Sequence, residues 1–332
     1  MINTKRLRPS FALSMLKLMT FVLVSLASLA SAQSYPTKPI RLVVPWPAGG
    51  LVDVAARQFA KHLQPALGQP VVVDNKPGAA GSLGADQVSK ASADGHTLLF
   101  STSALNMNAA LRPKLPFDAT QDLERVALLA YAPSVLVVST DSPIKSVQQL
   151  IESSRKQPGR LSYGSAGVGS PAHLTGELFK SKHQLFVVHI PYSGGPGAMT
   201  DQLAGRIDYH FPNLTVALPH LRSGKLRALA VTSSQRVPSL PEVPTMSETA
   251  NERFEADQWL GLLAPKATPT AVIDLLVATS NKILSLEDFN QALSSAGISS
   301  AKPGRAESFE TFFVRDLAQW KSLVKSANIV AE

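Results

Sequence analysis

The sequence predicts an α/β protein: two doubly wound domains, each a sheet covered by helices, facing each other across a cleft. Three observations predict it. From Ile40 onward, short β-branched runs alternate with helical segments, the order expected of sheets layered by helices. The chain has 332 residues, more than one open sheet ordinarily carries, so two domains are expected. Several strands end in Gly-rich loops that open helices, which is where open α/β sheets hold their ligands.

An N-terminal leader comes first. Lys5, Arg6, Arg8 and Lys17 precede or flank an apolar run, Leu18 to Leu29, that closes on Ala30-Ser31-Ala32. Basic residues, an apolar run and a small-x-small closure make a secretory signal, so residues 1–32 are expected to be removed after Ala32. The run is shorter than the ~20 apolar residues of a spanning helix, which argues against a retained anchor. The chain has no cysteine. Neither a disulfide nor a lipid-modified Cys is expected, and stability must come from the core. Removing the four leader cations from 32 Lys and Arg leaves 28, against 24 Asp and Glu, so the net charge falls from +8 to +4. No Lys/Arg stripe suggests nucleic acid. No later run is long enough to span a membrane.

The elements follow in order. Ile40–Val44 reads as a strand and Leu51–Leu67 as a helix that stops at Gly68. Val71-Val72-Val73 is a β-branched strand, and Asn75-Lys76-Pro77-Gly78 is a turn. Ser82–Ala91 is helical and His96–Phe100 a strand. Val126–Leu129 and Val135–Ser139 are strands on either side of Ala132-Pro133. Helix Val147–Lys156, strand Leu161–Gly164, helix Ser170–Ser181 and strand Val187–Ile190 come next. Helix Pro196–Ala204 and strands Ile207–Phe211 and Leu226–Thr232 complete that stretch. Three prolines between Val237 and Pro244 exclude a helix interior or a central strand there. Trp259–Leu263 returns as a strand. Three helices, Ala271–Leu284, Glu287–Ala296 and Glu307–Ala327, are expected to pack back on the first domain. The alternation predicts parallel sheets. Crossings near Ala132-Pro133 and Ala256–Gly261 divide the chain into a first domain of residues 33–133 and 256–332 and a second of residues 134–255.

The first loop, Pro45-Trp46-Pro47-Ala48-Gly49-Gly50, joins a strand to a helix N-terminus. The first turn of a helix has unpaired N–H groups and the positive end of the dipole, a natural seat for a small anion. The same pattern is equally that of an ordinary tight turn. Three further strand ends point the same way: Ser101-Thr102-Ser103, Gly164-Ser165-Ala166-Gly167-Val168-Gly169-Ser170, and Tyr192-Ser193-Gly194-Gly195-Pro196-Gly197. Two of the Gly-rich loops run into helix N-termini on what are read as opposite domains, so the pair could grip both ends of a dianion.

Ordered blocks of residues carry a resemblance. They are Tyr35-Pro36-x-Lys38-Pro39-Ile40, then Val44-Pro45-x-Pro47-x-Gly49-Gly50-x-x-Asp53, then Asn75-Lys76-Pro77-Gly78-Ala79-x-Gly81-x-x-Gly84. Asp94-Gly95-x-Thr97-Leu98-Leu99 follows, as do Tyr163-Gly164-Ser165 with Gly167, Gly169, His173 and Leu174. Pro191-Tyr192 with Asp201, Gly205 and Asp208 comes next, then Leu226–Thr232 and Leu240-Pro241-x-Val243-Pro244-Thr245. From Tyr35 to about Pro269 the chain resembles the Bug family, the substrate-binding proteins of tripartite tricarboxylate transporters.

The resemblance implies a type II periplasmic-binding-protein-like fold that closes around a small carboxylate. It implies location in the periplasm, no cofactor and no metal, and a monomer that delivers its solute to a tripartite tricarboxylate-type permease. Carried onto this sequence, the carboxylate is held by backbone amides of Ala48, Gly49 and Gly50 on one side. Ser165, Ala166, Gly167 and Gly169 answer from the other, with Ser101 and Thr102 on the wall. The chain departs from the family pattern at three places: Ala48 where Pro is frequent, His96 for Tyr, and Ser193 for Lys.

Single residues keep two readings each. Asp53 either contacts ligand or only complements the dipole of its helix. His173 either touches ligand or orients its loop. Asp208 either accepts an ammonium group or is a solvated strand-end residue. Trp46 is either a lid or a packing group. An α/β hydrolase is the rival class, since Ser101, Ser165 and Ser193 follow strands and His173, His189 and His220 are candidate bases. No Gly-x-Ser-x-Gly elbow surrounds any of them. Without Cys or clustered His/Glu spacing, zinc is unsupported. A sensor docking on a membrane kinase would share the ligand site.

Overall fold

Two sheets carry the fold in the computed structural model, which describes residues 35–112, 114–250, 254, 256–303 and 308–329. The leader and its cleavage point lie outside the described residues, as does Glu307, the expected start of the last helix. Residues from Lys38 onward form one unit.

The first sheet has six strands. They are β1 (Ile40–Val44), β2 (Val71–Asn75), β3 (Thr97–Thr102), β4 (Leu123–Ala132), β10 (Gln258–Pro265) and β11 (Ser299–Ser300), in the spatial order β11-β4-β10-β3-β1-β2. The second has β5 (Val135–Ser139), β6 (Ser162–Ser165), β7 (Val188–Pro191), β8 (Tyr209–His210) and β9 (Leu226–Val231), in the order β7-β6-β8-β5-β9. The chain leaves the first sheet between Ala132 and Val135 and returns to it at Gln258.

The sheets are mixed, which corrects the expectation of parallel ones. β1 pairs in parallel with β2 and β3, but β10 is antiparallel to both β3 and β4. In the second sheet β6 is parallel to β7 and β8, while β5 is antiparallel to β8 and β9. Both exceptions sit at the two crossings. β5 and β10 each enter their sheet from the other lobe, so no crossover helix from a paired neighbour imposes the parallel direction. β10 is buried at all eight residues. That uniform burial is why its sequence lacks the alternation of a one-sided strand.

The helices in chain order are α1 (Leu51–Leu67), α2 (Ser82–Ser89), α3 (Ala104–Leu111), α4 (Val147–Lys156), α5 (Pro171–His183) and α6 (Gly195–Leu203). They continue as α7 (Leu214–Arg222), α8 (Met246–Ala250), α9 (Thr270–Leu284), α10 (Glu287–Ser295) and α11 (Phe309–Ser326). α4 shows how sequence dictates them. Ser146 caps it by accepting from Gln149 N at 3.2 Å. Val147, Leu150, Ile151 and Ser154 form its buried stripe. Arg155 and Lys156 end it on the negative pole of the dipole. α3 and α7 are not anticipated by the sequence reading. α3 is buried on nearly all sides, so Ala104-Leu105-Asn106-Met107-Asn108 shows no stripe to read.

α11 also differs from expectation. Its first turns pack on the first sheet, where Phe309 and Phe313 meet Trp259 edge-on and tilted. Its last turns belong to the core of the second lobe: Trp320 and Leu323 cluster with Leu136, Leu150, Tyr163 and Phe179, and Met107 of α3 joins them. One polar knot fixes this crossing. Asp316 accepts from Asn106 Nδ2 at 2.8 Å, Trp259 Nε1 at 2.8 Å and Trp320 Nε1 at 3.0 Å. Burial raises the Asp316 carboxyl above the usual range against the pull of those three donors.

Trp320→Ala empties a fully buried indole site and orphans Asp316 Oδ1. It should cost about 3–5 kcal/mol, read from denaturant midpoints. A loss under about 1 kcal/mol would mean that α11 does not join the two lobes.

Candidate functional site

The first loop is held from behind by Asp53. Gly49 sits at φ +79°, a left-handed conformation open to glycine at no steric cost. Gly50 is the N-cap of α1, and its carbonyl accepts from Val54 N at 2.9 Å. Asp53, only 2% exposed, accepts from Gly49 N at 2.9 Å and from Arg57 Nε at 2.9 Å through Oδ2. Its Oδ1 accepts from Asn75 Nδ2 at 2.9 Å, and the same Nδ2 donates to Trp46 O at 3.0 Å. Burial pushes the Asp53 carboxyl up. The hydrogen bonds from Arg57, Gly49 and Asn75 outweigh it and leave the group below its usual range.

Two sequence readings change here. Asp53 fastens the loop, with both oxygens engaged by Gly49, Arg57 and Asn75. The Gly49 N–H donates to Asp53, so Gly49 shapes the loop instead of donating outward. Gly50 N reaches Pro47 O at 3.4 Å, a weak turn contact. Among the described residues the amides of Ala48, Leu51 and Val52 have no acceptor, the last two because no earlier turn faces them.

The second loop, between β6 and α5, is also fixed internally. Ser165 Oγ accepts from Gly167 N at 3.1 Å and lies 2.7 Å from His189 Nε2. Gly169 N donates to His173 Nδ1 at 3.1 Å, and Ser170 caps α5 by accepting from His173 N at 3.3 Å. His173 is thus the orienter of its loop. Its Nδ1 accepts, so its proton is on Nε2. Gly167 and Gly169 take φ +113° and +81°. Their N–H groups are used within the loop, while those of Ala166 and Val168 are unpaired among the described residues.

Behind this loop stands a column of rings. His173 stacks on His189 at 4.2 Å, His189 on Tyr163 at 4.8 Å, and Tyr163 on Tyr209 at 5.5 Å between centroids. Burial holds His173 below its usual range, with Lys180 acting in the same direction and Glu177 opposing. Burial, then His173 and Lys180, bring His189 down to about 3. Both rings are neutral at pH 7. The column was not legible in sequence, because its members are 10 to 46 positions apart and come from four elements.

The wall residues close the picture. Ser101 and Thr102 are the last two residues of β3 and are buried, not a loop after it. Thr102 Oγ1 accepts from Ala104 N at 3.1 Å and so starts α3. β1 and β3 are parallel neighbours, which puts the first loop and Ser101–Thr102 at the same carboxyl end of the strands. α3 then reaches the second loop: a Cβ on Gly169 would lie 2.9 Å from Leu111 Cδ2. Asp208 is the correction. It is exposed and accepts from Ser162 N at 2.7 Å, at the start of β6. Ser165 ends that strand, about 10 Å away at ~3.3 Å per residue. Asp208 therefore stands at the opposite end of β6 from Ser165. Among the described residues no group of three or more His, Cys, Asp or Glu could hold a metal.

Known proteins resemble this chain over most of its length. Residues 55–329 match the family described as the tripartite tricarboxylate transporter family receptor. Protein BugT of Bordetella pertussis is 38% identical over 304 residues, covering 90% of this chain and 92% of BugT. An adipate-bound protein of R. palustris is 32% identical with a TM-score of 0.80, covering 90% of this chain and 99% of its own. Malate-bound MatC from Rhodopseudomonas palustris is 29% identical with a TM-score of 0.77, covering 87% of this chain and all of its own.

Asp53→Asn should lower stability at pH 7. A carboxyl depressed in the folded state stabilises it above its unfolded value near 4, and that contribution fades as pH falls through the lower folded value. Wild type and variant should therefore converge as pH falls below the unfolded value near 4 in guanidinium melts; a pH-independent gap would contradict the role of the charge. His189 should show no titration between pH 5 and 8 in ring ¹⁵N spectra, and a transition near 6.5 would contradict its burial.

The fold, the paired loops and these relatives lead to one conclusion: this chain belongs to the tripartite tricarboxylate transporter receptor family of solute-binding proteins.

Proposed function

We propose that this protein captures a small carboxylate in the periplasm and delivers it, unchanged, to the membrane permease of a tripartite tricarboxylate transporter. The observation that carries the reading is the set of unpaired amides at the loop ends: Ala48, Leu51 and Val52 on one lobe, Ala166 and Val168 on the other. Such amides bind an anion at a helix N-terminus without a buried Lys or Arg and its desolvation cost. The malate and adipate held by the two solved relatives support the ligand class. The secretory leader supports the compartment.

The hydrolase reading gains no support from the Ser165–His189 pair. Ser165 and His189 are in hydrogen-bond contact, but a general base works best with a pKa near the operating pH. His189, at about 3, is far below it.

Calorimetry of the mature protein against a panel of mono-, di- and tricarboxylates should show binding of at least one, with no turnover of ester or amide analogues. Gly50→Val should then weaken that binding by about tenfold or more, roughly 1.4 kcal/mol. The fold should stand, because Gly50 has ordinary backbone angles and its Cβ would meet only Pro47 O at 3.4 Å. Unchanged affinity would refute the seat, and turnover would refute the carrier.

A further inference from the structure

Helix α3 places one buried amide between the two loops. Asn108 Nδ2 donates to Ala80 O at 2.8 Å and to Ala104 O at 2.9 Å. Two carbonyls can only accept, so they fix which end of the amide faces them, and Oδ1 turns the other way. It turns towards the second lobe, 3.8 Å from where a Cβ on Gly169 would stand. Asn108 is 1% exposed, and its Oδ1 has no hydrogen-bond partner among the described residues. The Gly169 amide does not serve it, because Gly169 N donates to His173 Nδ1. Ala80 belongs to the turn that supports the first loop, where Trp46 lies against Gly81. The orphaned oxygen thus stands at the junction of the turn under the first loop and the second loop itself.

A buried acceptor needs a donor. An ionised carboxylate offers only acceptors. We infer that the solute carries a hydroxyl or ammonium donor besides its carboxylate, and that Asn108 Oδ1 receives it. Asn108 is then the residue that separates hydroxy and amino acids from their unsubstituted counterparts. A site built to pair a substrate donor rejects the analogue lacking it far more strongly than an apolar pocket rejects a missing methylene. This rests on the carboxylate reading above.

The test is calorimetry of the mature protein with matched acids: malate and succinate, citrate and tricarballylate, 2-aminoadipate and adipate, 4-hydroxybenzoate and benzoate. In the best-bound pair the donor-bearing acid should bind about tenfold tighter or better. Asn108→Leu should bring that ratio to about one, chiefly by weakening the donor-bearing acid. Should that chain not fold, Asn108→Ser reads the same ratio at a side chain too short to span the gap. Equal binding of both acids by the wild type overturns the inference and leaves the carboxylate reading standing. A ratio that survives in the variant removes Asn108 as its cause. If none of the acids binds, the carboxylate reading falls, and this inference with it.

Discussion

A backbone amide can hold an anion only if the loop that carries it is held still, and in this protein that constraint rests first on Asp53. Its two oxygens gather Gly49, Arg57 and Asn75, and Asn75 in turn holds the carbonyl of Trp46. The ionised form is favoured because three donors outweigh its burial. His173 and Ser165 do the same on the second lobe with neutral groups, since burial keeps both stacked histidines uncharged. The arrangement spends some loop amides to fix the positions of others. A preorganised seat costs little ordering when the solute arrives.

The two lobes are joined less simply than a pair of separate domains. α11 begins against Trp259 on the first sheet and ends within the core around Tyr163 and Phe179. Asp316 ties it to Asn106 of α3 and to β10. α3 therefore touches the first sheet, the last helix and the second loop. A network of this kind has few soft points, because buried polar groups tolerate little loss of partners.

Much of this was legible in sequence. The strand order up to β3, the capped helix α4 and the loops at the strand ends follow from β-branched runs, from Ser146 with its apolar stripe, and from Gly at positions of positive φ. What escaped had physical causes. α3 is buried on nearly all sides, so it lacks the periodicity that marks a half-buried element. The antiparallel crossings depend on which strands become neighbours, which local pattern does not encode. Asp208 comes three residues after Gly205 in a stretch that reads as a strand, yet it stands just before β8 and beside the first residue of β6. The loop amides drew attention as a group; which of them are spent on Asp53, Ser165 and His173 required coordinates. The single signal in sequence for α3 was its pair of asparagines among apolar residues, a composition that asks for buried partners.

The central claim is that amides, not cationic side chains, hold the solute. Backbone ¹H–¹⁵N spectra of the mature protein, recorded while titrating the tightest-binding acid, test it most directly. The account predicts the largest amide shifts at Ala48, Leu51, Val52, Ala166 and Val168, with Arg57 Nε unmoved in its pairing to Asp53. Shifts centred on Lys or Arg side chains, or on amides remote from both loops, would contradict it.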